Sequence, residues 1–142
     1  MAYEESIRSI SLAADSSLAV YTGVPGLPGS ASPNAGKQYR FVKVTGDRQC
    51  GLVTANTDAA IGVMQSKPQN TGMAATVAIR GVSYVVSGAG TGSNAITAGA
   101  AVTSDSEGRA IKLPGSGSPV TYGIALTGST TAGELIPVLI KG

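Results

Sequence analysis

Three glycines at alternate positions, Gly88, Gly90 and Gly92, open the stretch SGAGTGSNAITAGAAVTSDSEGRAIKL, residues 87–113. Glycines packed this closely can cradle a phosphate through backbone N–H groups. A dinucleotide-binding loop needs G-x-G-x-x-G between a strand and a helix, because the helix N-terminus holds the pyrophosphate. Here the third glycine comes one residue early and Ser93 stands in the required place. The residues that follow, NAITAGAAVTSD, contain Gly99 and β-branched side chains and carry no helical pattern. The spacing therefore predicts a loop between a strand at 81–86 and a strand at 100–103. A second candidate, Asn34-Ala35-Gly36-Lys37-Gln38, has the Gly-Lys of a nucleoside-triphosphate loop. It lacks the leading glycine, replaced by Ala31, and the magnesium-binding hydroxyl, replaced by Gln38. It too reads as a turn.

The other reactive groups are as sparse. The chain has no histidine and one cysteine, so the usual general base and any zinc ligand set are missing. Cys50 reads as a small buried hydrophobe, since no partner activates it. Asp105-Ser106-Glu107 carries oxygen ligands suited to calcium, but the same residues with Gly108 are ordinary turn formers. Ser66-Lys67 is no dyad, because neighbours on a strand point to opposite faces and Pro68 marks a loop. A hairpin carrying a lipoyl or biotinyl group needs a lysine at its tip, and Lys112 lies within the following strand. The residues predict no enzyme and no catalytic, cofactor-binding or metal site.

The elements that surround these residues are β-strands. Segments such as YRFVKVT, TVAIRGVSYVV, AAVTS, RAIKL, YGIALTG and LIPVLIK are rich in β-branched residues and separated by Gly, Pro, Ser or Asp. No window of helical length keeps a 3.6-residue apolar period without a glycine intruding. The 142 residues suit one domain, with 20 glycines, one Phe and no Trp. Charged residues are 13% of the chain, against roughly 25% in an average domain. A thin core poor in aromatics and a surface with few charges suit a subunit stabilised by neighbours. A net charge of +2, with Lys and Arg scattered singly, argues against nucleic acid or an anionic membrane as partner. The longest uncharged run, residues 81–104, is broken by Gly, Ser and Asn and is unsuited to span a bilayer. Glu4 and Glu5 with no apolar run behind them do not read as a secretory signal.

The chain divides into an extended Pro/Gly-rich N-terminal arm, residues 1–39, and an all-β domain, residues 40–142. Within the arm, Pro25, Pro28 and Pro33 alternate with Gly26, Gly29 and Gly36 and exclude helix and central strand. The opening SIRSISLAADSSL suggests no more than a short strand. Within the domain the sequence matches itself. IGVMQSKPQNTGMAATVAIRG (61–81) lies over YGIALTGSTTAGELIPVLIKG (122–142) without a gap, so Gly62 meets Gly123, Gly72 meets Gly133 and Val77 meets Val138. Val44-Thr45-Gly46-Asp47 lies over Val102-Thr103-Ser104-Asp105 at an offset three residues shorter. Halves at 42–81 and 100–142 suggest a compact barrel or sandwich with internal pseudo-symmetry.

With YRFVKVTGD, DAAIGVMQSKP, GMAATVAIRGVSYVVSG, ITAGAAVTSDSEGRA and YGIALTGSTTAGELIPVLI in that order, the chain resembles the capsid decoration, or cement, proteins of tailed bacteriophages. The resemblance implies a small β-domain on the outer surface of the phage head, made in the host bacterial cytoplasm. Its partners would be the major capsid protein and its own copies, as a homotrimer, with no small-molecule substrate, nucleic acid or membrane. The alternative is a head-fibre or tail-surface β-module that binds host glycans. The arm is the expected capsid contact: Ile7, Ile10, Leu12, Leu18, Val20, Tyr21, Val24 and Leu27 recur along a segment too poor in apolar groups to fold on its own domain. Deleting residues 2–36 is then expected to leave a folded domain that no longer binds heads.

Overall fold

The structure is a computed structural model that describes residues 7–21 and 37–141. Among them are nine strands and a single 3₁₀ turn, Gly92–Asn94. The strands are β1 Arg8–Ala14, β2 Phe41–Gly46, β3 Gln49–Leu52, β4 Ala60–Met64, β5 Ala74–Val86, β6 Ala101–Ser104, β7 Ala110–Lys112, β8 Gly123–Ala125 and β9 Leu135–Ile140. The all-β reading holds.

Two small barrels share one strand. β2 pairs with β3 and β4, β4 with β5, and β5 with β1, all antiparallel; β1 then meets β3 in parallel and closes the ring. The second ring repeats this order. β6 pairs with β7 and β8, β8 with β9, and β9 with the second part of β5. A parallel bridge from Ser87 to Ala110 closes it. Thirteen-residue β5 thus serves as the last strand of barrel 1 and the first strand of barrel 2. The change of role falls at Gly81, whose φ of +101° is one that side-chain-bearing residues rarely adopt.

The registers make the duplication explicit. Val42 pairs with Gly62 as Val102 pairs with Gly123, and Val63 pairs with Ala78 as Ile124 pairs with Leu139. Leu12 sits opposite Ala75 as Val85 sits opposite Ile136. Backbone conformation repeats as well, with Gly72 (+87°) matched by Gly133 (+90°), and Tyr39 (+61°) matched by Gly99 (+85°). Two boundaries differ from the sequence expectation. The equivalent of Val102 is Val42 rather than Val44. The first unit also begins at β1, which is the counterpart of the second part of β5.

Each barrel has its own core. Barrel 1 buries Ala14, Leu18, Val42, Cys50, Met64, Ala75 and Val77, with Leu12, Ile61 and Ile79 packed against them. The other cluster joins Val85, Val102, Ala110, Ala125, Ile136 and Val138 of barrel 2 to Phe41, Val63 and Ala78 on the outside of barrel 1. The two units are therefore fused through apolar packing as well as through β5.

The N-terminal expectation needs correction. Residues 8–20 are not an arm free of the domain; β1 closes barrel 1 and Leu18, 1% exposed, fills its core. The turn that turns Leu18 inward is held by Asp15, whose carboxylate accepts bonds from Ser17 and from Thr45 Oγ1 (2.8 Å). Ser17 Oγ in turn accepts the backbone N–H of Leu52 at 2.8 Å. The apolar content of 8–20 is modest, yet it suffices because Leu12, Ala14 and Leu18 turn into the core of an otherwise incomplete barrel. Val24 and Leu27 lie outside the described residues.

Candidate functional site

The structure places Cys50, Ser66, Asp105 and Glu107, singled out for chemistry, in structural roles, while residues 34–36 of the Gly-Lys turn lie outside the described residues. After Gly88 the chain makes a loop with one 3₁₀ turn and enters β6, so no helix N-terminus faces Gly88, Gly90 or Gly92. Asp105 builds the following turn itself: Oδ1 accepts the N–H groups of Glu107 (2.8 Å) and Arg109 (2.9 Å), and Oδ2 accepts Arg109 Nε at 2.7 Å. Glu107 pairs with Lys37 Nζ at 2.8 Å, which holds its carboxyl below the ordinary range. Ser66 Oγ accepts the N–H of Thr76 at 2.9 Å and so serves the strand pairing. Cys50 lies in the core of barrel 1, where burial first and the charge of Asp15 second push its thiol up to about 11. At neutral pH it is a thiol and a poor nucleophile. Among the described residues no group of three or more His, Cys, Asp or Glu could hold a metal. None of their helices is long and apolar enough to cross a membrane.

The joint between the barrels is the best-defined polar arrangement. Tyr122 stacks edge-on against Phe41, ring centroids 5.0 Å apart, and donates its hydroxyl to the carbonyl oxygen of Asp58 at 2.6 Å. The Asp58 carboxylate accepts Lys43 Nζ (2.7 Å) and the N–H groups of Thr54 and Ala55, and these bonds lower its pKa. Burial first and the charge of Asp58 second push the Tyr122 phenol up to about 12 from 10.0. A folded-state pKa raised in this way stabilises the fold fully below pH 10, and the contribution is lost as pH rises through about 12. Tyr122→Phe is expected to cost about 1–3 kcal/mol at neutral pH, because the Asp58 carbonyl loses a buried donor. The gap to the unmodified protein should narrow between pH 10 and 12 in urea titrations followed by circular dichroism. A gap that stays constant over that range would show that the phenol proton plays no part.

The predicted contact residues separate into groups. Ile7 and Ile10 are exposed, at 43% and 39%. Leu12 packs on the barrel 1 core and Leu18 lies within it. Val20 and Tyr21 are half-buried, tied by their N–H groups to the carbonyls of Pro68 (2.9 Å) and Gln69 (2.8 Å). Leu18 has no surface to offer a partner.

A surface missed by the sequence reading lies on the outside of barrel 2. Along the second part of β5, Ser83 and Val85 point inward while Val82, Tyr84 and Val86 point outward. On β9, Ile136, Val138 and Ile140 point inward while Leu135, Pro137 and Leu139 point outward. Ile124 and Leu126 continue the same face at β8. All eight outward residues are apolar or Tyr, and Tyr84, Leu126, Leu135 and Leu139 are exposed, Tyr84 at 56%. The signal was present in LIPVLI, six apolar residues in a row, which is the pattern of a strand covered on both faces. The described residues cover one.

A family model described as phage cement protein matches residues 33–140. No curated protein sequence matches the chain. Among solved structures, the head fiber gp8.5 N base in bacteriophage phi29 is similar, with 18% sequence identity and a TM-score of 0.60 over 96% of this chain and 95% of that one. At that identity the likeness is one of fold.

Proposed function

Since the chain belongs to the phage cement protein family, we propose that this structural protein of the phage head binds the outer surface of the capsid as a homotrimer and stabilises the expanded shell. The family match over residues 33–140 carries this reading. The geometry supports it: two fused barrels give a rigid body, and an uncharged apolar face suits contact with protein rather than with nucleic acid. The mechanism is linkage. A ligand that binds only the expanded lattice stabilises that lattice by RT ln(1 + [L]/Kd) at each site. Bridging several shell subunits raises the effective concentration of every contact after the first. Ile7, Val24 and Leu27 are the candidate contacts that this reading keeps for the shell.

Purified protein should co-sediment with filled, expanded heads and not with unexpanded shells. Equal binding to both would remove the stabilising role, because a ligand without differential affinity shifts no equilibrium. The fold shared with a head fiber base gives some weight to the head-fibre alternative. Glycan binding by stacking wants exposed aromatics, and among the described tyrosines only Tyr84 is exposed. A glycan array that lit up and went dark with Tyr84→Ala would favour that alternative.

A further inference from the structure

The duplication gives each surface of one barrel a counterpart on the other, and one such pair is used inside the chain. Phe41, Val63 and Ala78 form a row across β2, β4 and β5 on the outside of barrel 1, and all three are fully buried. What covers them is one end of barrel 2, the end where the second part of β5 and β8 begin and β9 stops. Ser83, Tyr122 and Ile140 stand at that end and are buried. Tyr122 packs on Phe41, and Gln65 Nε2, beside the row, donates to Ser83 Oγ at 2.8 Å. Within the chain, therefore, the end of one barrel seats on the outer row of the other.

Among the described residues both counterparts are left over. The row equivalent to Phe41, Val63 and Ala78 is Ala101, Ile124 and Leu139, in the same register on β6, β8 and β9. Leu139 is 39% exposed where Ala78 is fully covered. The end equivalent to Ser83, Tyr122 and Ile140 is Ile10, Ile61 and Ile79 of barrel 1. Ile10 is exposed and the other two are half-buried. An apolar row without its barrel end and an apolar barrel end without its row thus lie on one chain, and the pairing that joins them is the one the chain already makes. Arg8 and Arg80 flank the isoleucines, as charged residues rim an apolar contact.

We infer that the outer face of barrel 2 docks the Ile10–Ile61–Ile79 end of barrel 1 from a second copy of this chain, repeating the intramolecular joint between molecules. Such a contact is head-to-tail, with different patches on the two partners, and it closes into a ring when the rotation permits. Tyr84, Leu126 and Leu135 widen the face at the positions where barrel 1 carries the smaller or polar Ser11, Gln65 and Ala74. A joint between separate molecules lacks the covalent tie of β5 and needs that additional apolar area. The contact rests on the homotrimer part of the proposed function, whereas capsid binding is tested apart by co-sedimentation, so either can fail alone.

The test uses two full-length variants, Leu139→Asp on the face and Ile10→Asp on the end, with Ile61→Asp as a second end variant. Light scattering coupled to size exclusion should give an oligomer for the unmodified protein and a monomer for each variant. An equimolar mixture of Leu139→Asp and Ile10→Asp should give a dimer and nothing larger, since one intact face meets one intact end. Formation of that dimer also shows that both variants are folded. A monomeric unmodified protein, variants as oligomeric as the parent, or two folded variants that fail to complement would each overturn the inference. In the second case the face is covered by another occupant, a capsid subunit or residues 22–36 of the chain itself.

Discussion

Removal of residues 2–36 should leave no folded barrel. β1 runs between β5 and β3, pairing from Arg8 to Ala13 on one side, with one bulge between Arg8 and Ser9, and at Ala13 and Ala14 on the other. Deleting it opens barrel 1 and bares two strand edges, which are templates for aggregation. The deletion also takes Leu12, Ala14 and Leu18 out of a core that keeps Val42, Cys50, Leu52, Met64, Ala75 and Val77, with Ile61 and Ile79 packed against them. Truncating one buried leucine costs about 2–5 kcal/mol, and the net stability of a domain is about 5–15 kcal/mol. Losing three core residues together with a whole strand exceeds that margin. The truncated chain should therefore be insoluble, or show no cooperative thermal transition by circular dichroism. Leu18→Ala alone should melt cooperatively but be less stable by about 2–5 kcal/mol. A truncated chain that melts as the full-length protein does would show that β1 is dispensable, and the segment would again be a candidate arm.

The strand content was legible because β-branched residues and glycine turns alternate through most of the chain. The repeat was legible over 61–81 and 122–142 because β4, β5, β8 and β9 keep one spacing, so Gly62 and Gly123 fall in line. The upstream match went astray by two residues, which is the error a strand pattern cannot detect. A slip of two leaves every side chain on its own face, and Val44 stands in for Val42 without disturbing the alternation. β1 was hidden for another reason. Its counterpart is the second part of β5, which reads as the tail of the first copy when the shared strand is taken to belong to one unit. The apolar face of barrel 2 left a trace in LIPVLI but could not be placed, because Val82, Tyr84, Leu135 and Leu139 look like core until their inward neighbours are known.

The second large effect belongs to two glycines that the repeat places at the same point of each barrel. A Cβ on Gly62 would be driven into the carbonyl oxygen of Ala78 on β5, and a Cβ on Gly123 into the carbonyl oxygen of Leu139 and Cγ1 of Val138 on β9. The obstructing atoms include backbone of a paired strand, so relief requires separating β4 from β5 or β8 from β9. Overpacking a core usually costs about 1–3 kcal/mol, and more where no side chain can move aside. Gly62→Ala and Gly123→Ala should therefore each lose about 3 kcal/mol or more. Gly72 and Gly133 supply the contrast, since a Cβ there meets nothing within 4 Å and only the positive φ is strained. Alanine at those two should cost about 1–2 kcal/mol. Urea unfolding of the four variants should thus give two matched pairs, with the β4 and β8 pair far below the turn pair. Because Gly62 and Gly123 act in different barrels, their losses should add, and the double variant should not fold. If Gly62→Ala proved as mild as Gly72→Ala, the strands would have room that this packing denies them, and the matched roles of the two glycines would have to be abandoned.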